Sequence, residues 1–377
     1  MDKVILFDVD GVFLDEGRCF DVSALAVYEL LFDKAYLNLN PKIDLSQIKD
    51  SQIQAIRKEI FEGDLILNQL KSLGVNSNWD MLFIVFSIHF IQLLKQLPKE
   101  MQVTFLESKV ITQAQLQNLG QHVTHKRIDY AEPLDFLKNV ENGKDTLYRA
   151  LMSYAETHLE YENTTLFDIQ SPLWQFAQSI YQEWYLGCSL FEEIEQLPAK
   201  SDFKQGYIYN EKVIVPVEDI KSLLNTLKSE GYRIGIATGR TRPETLIPFE
   251  ALGLLTHFDT YYIGTASEVL EVESEYPEQK PLGKPNPFTY LVAYYGNDKN
   301  RYYDYATHQT HRVDKKQVII VGDSLADLLC AKTINATFIG TLTGLKGKEA
   351  RKELEAHDAD YIVNHVLDIK DIVLNHH

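Results

Sequence analysis

The chain has 377 residues, 45% of them hydrophobic, and carries 54 Asp and Glu against 37 Lys and Arg for a formal charge of −17. Single cores rarely grow past about 250–300 residues, so two domains are expected. The acidic field repels nucleic acid and anionic membranes, which sets both aside as partners, and a site for a small phosphorylated metabolite would have to reverse the potential locally with cations or a metal ion.

The N-terminus holds acidic residues where a secretion signal needs an apolar core, and Cys19, Cys188 and Cys330 stand far apart in no metal-ligand spacing. Both features point to a reducing, cytoplasmic setting, with the cysteines as packing residues. The first predicted element lies in "KVILFDVDG". Its short apolar run Val4–Phe7 suits a strand buried on both faces of a parallel sheet, which delivers Asp8 to the carboxyl end. Asp10, two residues on, would share the same side of an extended segment. In open α/β sheets that edge binds ligands. Taken alone, Asp-Gly after a strand is also ordinary turn chemistry.

From about residue 17 to 213 the sequence reads as helix after helix, in amphipathic stretches such as "SPLWQFAQSIYQEWYLG". The most apolar stretch, "MLFIVFSIHFIQLLK" at 81–95, is interrupted by Ser87, His89 and Gln92. It falls short of the roughly 20 residues a membrane span needs and is read as a buried helix, with His89 a core histidine. Near Pro216 the texture changes. A helix with Ile220, Leu223, Leu224 and Leu227 on one face ends at Gly231, and the strand "YRIGIAT" follows at 232–238. Helix "PETLIPFEALGLL", strand "TYYIG" at 260–264, strand "KQVIIVGD", helix "SLADLLCAKTIN", strand "TFIG", strand "DYIV" and a last helix complete the series.

Alternation of this kind builds a parallel sheet with helices on both faces, an α/β Rossmann-like core. The first strand has no crossover helix of its own, so residues 17–213 are read as a helical insertion into an α/β domain made of 1–16 and 214–377. The polar stretch 265–316 is longer than a plain connection and is expected to decorate a surface or serve a partner. His308 and His311 within it have no third ligand nearby in sequence and are not read as a metal site.

Three later residues align with Asp8. Thr238 in "IATGR" and Asp323 in "IIVGDSLAD" each stand at the carboxyl end of a predicted strand, and Lys284 in "PLGKPNPF" precedes a short helix. The ordered set DxDG, strand-borne Thr, Lys-Pro and GDxxxD resembles the haloacid dehalogenase-like superfamily, in particular its capped phosphatases, similar to phosphoglycolate phosphatase and β-phosphoglucomutase. The resemblance implies a Rossmann-like core, a helical cap inserted after the first strand, Mg²⁺ dependence and phosphoryl transfer through an aspartyl phosphate. It assigns Asp8, the Asp10 backbone carbonyl and Asp323 to the metal.

The residue types suit that chemistry. Asp8 would attack phosphorus, and Asp10 would protonate the leaving oxygen and later deprotonate water. Asp327, one helical turn beyond Asp323, would hold a metal-bound water. The Thr238 hydroxyl and Gly239 N–H would meet phosphoryl oxygens, and Lys284 would neutralise Asp8 and the phosphate. The motif reads Thr-Gly-Arg where many members of the superfamily have Asn or Lys after the threonine; Arg240 and Arg242 could reach substrate but are read as surface ion pairs. Gly17 and Gly206 flank the insertion as candidate hinges, and Arg18 is the insertion's candidate substrate contact. A sugar phosphomutase shares every motif, and a non-catalytic phospholigand-binding protein could keep the fold. Haloalkanoate dehalogenation is the weaker reading, because it needs no second aspartate.

Overall fold

The computed structural model describes residues 3–75, 77–141, 143–307 and 312–375. Two compact units emerge, Met1–Glu16 with Ile208–His377, and Gly17–Tyr207. The first is built on a six-stranded, wholly parallel sheet: β1 (Lys3–Phe7), β2 (Tyr232–Ala237), β3 (Ile263–Gly264), β4 (Val318–Gly322), β5 (Thr337–Thr341) and β6 (Tyr361–Val363), in the order β3-β2-β1-β4-β5-β6. Strand order runs outward in both directions from β1, which makes its carboxyl end a topological switch point.

Period-two alternation sends side chains into two separate cores. Ile5 and Phe7 of β1 and Ile319 and Val321 of β4 pack on one face with Leu223, Leu224 and Leu227 of helix Val217–Ser229. Val4, Leu6, Val318 and Ile320 pack on the other, with Leu291 and Val292 of helix Phe288–Tyr295 and Leu328 and Ile334 of helix Leu325–Ile334. Burying each such side chain contributes roughly 1.5–3 kcal/mol, which is why central strands read as continuous apolar runs.

Three local expectations change. "TYYIG" pairs with β2 only through Ile263 and Gly264, because the Asp259 carboxylate accepts the Tyr261 N–H at 2.9 Å and turns Thr260–Tyr262 into a 3₁₀ turn. The polar stretch 265–316 is no surface decoration. It forms helix Ala266–Glu275, opened by a Thr265/Glu268 capping box, and helix Phe288–Tyr295, which supplies core. On helix Ala266–Glu275, Glu271 and Glu275 face outward while Val269 and Val272 are buried, and the buried Glu268 is held by the Thr265 hydroxyl. The second unit boundary falls at Tyr207–Ile208, earlier than residue 213, because the returning chain zips onto the outgoing one: Asp15 N–H donates to Lys212 O at 2.8 Å, Leu14 bridges Val213, and Ile214 N–H donates to Phe13 O at 3.0 Å. His308 and His311 lie outside the described residues.

The second unit is helical. Helix Asn78–Leu94, capped by Ser77, is buried along most of its length, and among the described residues no helix is long and apolar enough to cross a membrane. Lys204 Nζ, wholly buried, lies 2.8 Å from Glu29 and 3.2 Å from Glu183, fastening the end of the unit to helices Gly17–Phe32 and Pro172–Leu186. Gly206 has φ +88°, and a Cβ there would run into the Leu186 carbonyl, so close backbone packing dictates glycine at this candidate hinge. Cys19 and Cys330 are buried and Cys188 half-buried, and no disulfide joins them.

His89 is buried with its ring edge-on to Tyr130 and no hydrogen-bond partner for Nε2. Burial pushes it down from 6.5 to about 4, with Asp129 opposing only in part. The unfolded chain therefore takes up a proton that the folded unit refuses. Between pH 6.5 and about 4, stability should fall as pH falls, by up to about 1.4 kcal/mol per unit. Urea midpoints of His89→Leu should depend less on pH in that window than those of wild type; parallel curves would reject this account.

Candidate active site

Three of the reactive positions follow directly from a strand end. Asp8 comes after β1, Thr238 after β2 and Asp323 after β4, and the backbone is locked there by Asp8 N–H to Val321 O at 2.9 Å and Thr238 N–H to Gly264 O at 3.0 Å. Beyond Asp8 the chain does not stay extended. Gly11, at φ +72°, lets it turn so that the N–H groups of Phe13 and Leu14 return to Val9 O. Asp8 and Asp10 consequently meet different partners.

Lys284 joins Asp8 to Asp327. Its Nζ lies 2.9 Å from Asp8 Oδ1 and 2.8 Å from Asp327 Oδ1, with Asp327 fully buried and Asp8 only 8% exposed. Asp327 closes the capping box of its helix with Ser324. It also receives the Tyr290 hydroxyl at 2.8 Å and the Ser324 hydroxyl at 2.7 Å, and the Tyr290 ring lies 5.0 Å beneath the Lys284 ammonium. Among the described residues, Asp8 accepts only the Val9 N–H besides Lys284.

Those unequal supports separate the two acids. Burial pushes Asp8 up to about 7; Lys284 pulls the other way, and Asp327 and Asp10 add to the rise. Burial also works against ionising Asp327, but Lys284, Ser324 and Tyr290 together hold it below the usual carboxylate range. For Lys284 burial favours the neutral amine, and the charges of Asp327 and Asp8 overcome it and raise its pKa.

Asp8, Asp323 and Asp327 each offer a carboxylate oxygen, all within 4.8 Å of one another. One ammonium cannot balance three carboxylates so close together. An all-oxygen donor set of this charge fits a hard divalent cation such as Mg²⁺. Asp323 is hemmed in by glycines: a Cβ on Gly11 would stand 2.5 Å from its Cγ, and one on Gly344 would fall onto Oδ2. The Gly11 carbonyl is in turn held by the hydroxyls of Thr341, at 3.0 Å, and Thr343, at 2.5 Å.

Thr238 is fully buried, its Oγ1 accepting the Arg240 N–H at 3.1 Å, and space is open beside Gly239. Arg240 is no surface ion pair. It is 6% exposed and reaches Asp10, with Nε 2.9 Å from Oδ2 and Nη2 2.6 Å from Oδ1, while Nη1 lies 2.5 Å from the buried Glu211. The surface reading failed because the turn after β2 folds Arg240 back along the sheet edge. Arg242 does pair peripherally, with Glu268 at 3.3 Å. Arg18 belongs to the helical unit, where it is buried, 3.6 Å from Asp21 and from Asp50 and 5.1 Å from the Tyr207 ring centroid.

Residues 184–341 match the family described as haloacid dehalogenase-like hydrolase, a span that includes Thr238, Lys284, Asp323 and Asp327 but begins after Asp8 and Asp10. The pyrophosphatase PpaX of Halalkalibacterium halodurans is 26% identical over 184 residues, 48% of this chain and 70% of that protein. A phosphoglycolate phosphatase of Pasteurella multocida is 29% identical over 154 residues, 41% of this chain and 56% of its own length. An X-ray structure solved as a structural genomics target is 54% identical, with all of both chains covered and a TM-score of 0.85.

The glycine cradle around Asp323 generates a test. Gly344→Ala must push the Asp323 carboxylate aside while disturbing little else, and displacing a reacting group by about 1 Å can cost on the order of 100-fold in rate. Aryl phosphate turnover should therefore drop sharply while thermal unfolding stays within a few degrees of wild type. Wild-type turnover in this variant would show that Asp323 is not needed where it stands.

Proposed function

We propose that this chain, whose residues 184–341 match the haloacid dehalogenase-like hydrolases, is a Mg²⁺-dependent phosphatase of a small phosphorylated metabolite, acting through a phosphoryl group carried on Asp8. The observation that carries this reading is Lys284 Nζ at 2.9 Å from Asp8, at the switch point of a parallel sheet, with Asp323 and Asp327 beside it.

In the first half-reaction an Asp8 oxygen attacks phosphorus. The Asp8 O–P bond forms, the P–O bond to the leaving group breaks, and a proton passes from Asp10 to the leaving oxygen. In the second half Asp10 takes a proton from water. The water oxygen bonds to phosphorus, the Asp8 O–P bond breaks, and inorganic phosphate leaves. Lys284 holds Asp8 as a carboxylate during attack, and the Thr238 hydroxyl and Gly239 N–H bind phosphoryl oxygens. Asp8, the Asp10 carbonyl, Asp323 and Asp327 would hold Mg²⁺, which when bound supplies the positive charge that their carboxylates and the phosphoryl oxygens require.

The named relatives act on pyrophosphate or phosphoglycolate and support a small, strongly anionic phosphate compound as the substrate class. Substrate choice is assigned to the helical unit, with Arg18 as its first candidate contact, and the setting to the cytoplasm.

Asp8→Asn should reduce hydrolysis of 4-nitrophenyl phosphate by more than about 1000-fold with the fold retained by circular dichroism. Comparable rates in variant and wild type would remove Asp8 as the nucleophile. A proton on Asp8 competes with the cation, so Mg²⁺ affinity should weaken as pH drops below about 7 and level off above it. Calorimetric titrations across that range check the sign, and an affinity independent of pH would take Asp8 out of the ligand set.

A further inference from the structure

The Arg240 guanidinium serves two carboxylates at once. One edge forks onto Asp10, with Nε 3.1 Å from Oδ1 and 2.9 Å from Oδ2 and Nη2 2.6 Å from Oδ1. The other edge, through Nη1, meets Glu211 Oε1 at 2.5 Å and the Glu244 carbonyl at 3.4 Å. Asp10 is the looser end of this chain, its side chain 24% exposed against 1% for Glu211. Its backbone is a lone bridge to Leu14 outside any strand, so the sheet ladder does not fix its side-chain direction. A planar fork on both oxygens does, because two parallel N–H···O bonds set the carboxylate plane as well as its distance.

We propose that Arg240 is a positioning residue for proton transfer: it aims the Asp10 carboxyl, and the buried Glu211 holds the guanidinium in the plane that makes the fork possible. The inference rests on the reading of Asp10 as the group that protonates the leaving oxygen. Arg240 itself neither gives nor takes a proton in the reaction. The backbone contributes to the same aim, since the Arg240 N–H is fixed to Thr238 Oγ1 at 3.1 Å and ties the base of the arginine to the end of β2.

The test compares two substrates. A nitrophenyl phosphate releases a stable anion and needs little help from an acid, whereas an alkyl phosphate releases an alkoxide that must be protonated as the P–O bond breaks. In Arg240→Lys, which keeps the charge and loses the fork, the alkyl substrate should slow more than the nitrophenyl one. The ratio of their rates should widen by about 100-fold, through kcat with KM little changed. Arg240→Gln paired with Glu211→Gln removes both charges together, so that the buried Glu211 is not left ionised without its partner, and should widen the ratio likewise. If both substrates slow equally, Arg240 is only structural and the inference fails. If KM rises alike for both at a constant ratio, the guanidinium holds substrate and the inference fails. Asp10→Asn separates the two levels of the argument: a widened ratio there with an unchanged ratio in the arginine variants rejects only the role of Arg240. An unchanged ratio in Asp10→Asn rejects the proton-transfer reading itself.

Discussion

The contact on which the α/β unit's chemistry depends is a lysine ammonium shared by two buried carboxylates. Lys284 comes from a loop between helices, Asp8 from the end of β1 and Asp327 from the first turn of helix Leu325–Ile334. None could be buried ionised by itself, since desolvating a lone charge costs several kcal/mol. Removing the lysine would leave two like charges facing each other, and removing either acid would change the field at the other. The arrangement is therefore cooperative, and its asymmetry matters. Tyr290 and Ser324 stabilise the charge on Asp327 and leave Asp8 as the acid with fewer donors and the higher pKa. A carboxylate less fully satisfied by the protein is the better nucleophile and the one more ready to accept a cation or phosphorus.

Sheet topology explains why these groups meet. Strand order reverses at β1, between β2 and β4, and a crevice opens at the carboxyl ends of strands at such a switch point. Asp8, Thr238 and Asp323 enter it from three strands, and parallel pairing fixes the strands behind them, with Phe7 opposite both Ile236 and Val321. Two further ties reinforce the rim. Thr341 and Thr343, at the end of β5, both grip the Gly11 carbonyl, so the loop carrying Asp10 is fastened to a strand two places away. Gly11 is needed twice over, for its φ of +72° and for the room it leaves Asp323.

Much of this was legible in the sequence, for physical reasons that also mark where reading stops. Strands buried on both faces give unbroken apolar runs, so β1, β4 and β5 and the acids and threonine at strand ends stand out from local pattern alone. Lys284 could be picked out only with the other motifs. Tyr290 and Glu211 carry no local signal, because each acts through a partner distant in sequence. Ser324 did leave a trace, as the first residue of a Ser-x-x-Asp capping box ahead of an apolar helix. Arg240 was misjudged because an arginine beside a helix start is ordinarily solvated, and only the fold shows that the turn after β2 delivers it to Asp10. The polar stretch 265–316 misled for a related reason: composition averages over a helix, whereas burial depends on which face each residue occupies.

The insertion poses a last question, how nearly 200 residues can leave and re-enter the α/β unit beside its reactive rim without loosening it. The answer lies in the pairing of residues 13–15 with 212–214. Closing a long loop costs entropy that grows only logarithmically with its length, so the size of the insertion matters little once its ends are fixed. Here the ends are fixed on the α/β unit's own side of the junction, by backbone bonds and by the buried Phe13 and Leu14. Glu211 lies in that same returning segment and Asp10 just ahead of the outgoing one, so the clamp that closes the loop also carries the groups that bracket Arg240. The geometry of Asp10 is thereby set within the α/β unit, and the helical unit's sequence can vary without disturbing the groups at the strand ends.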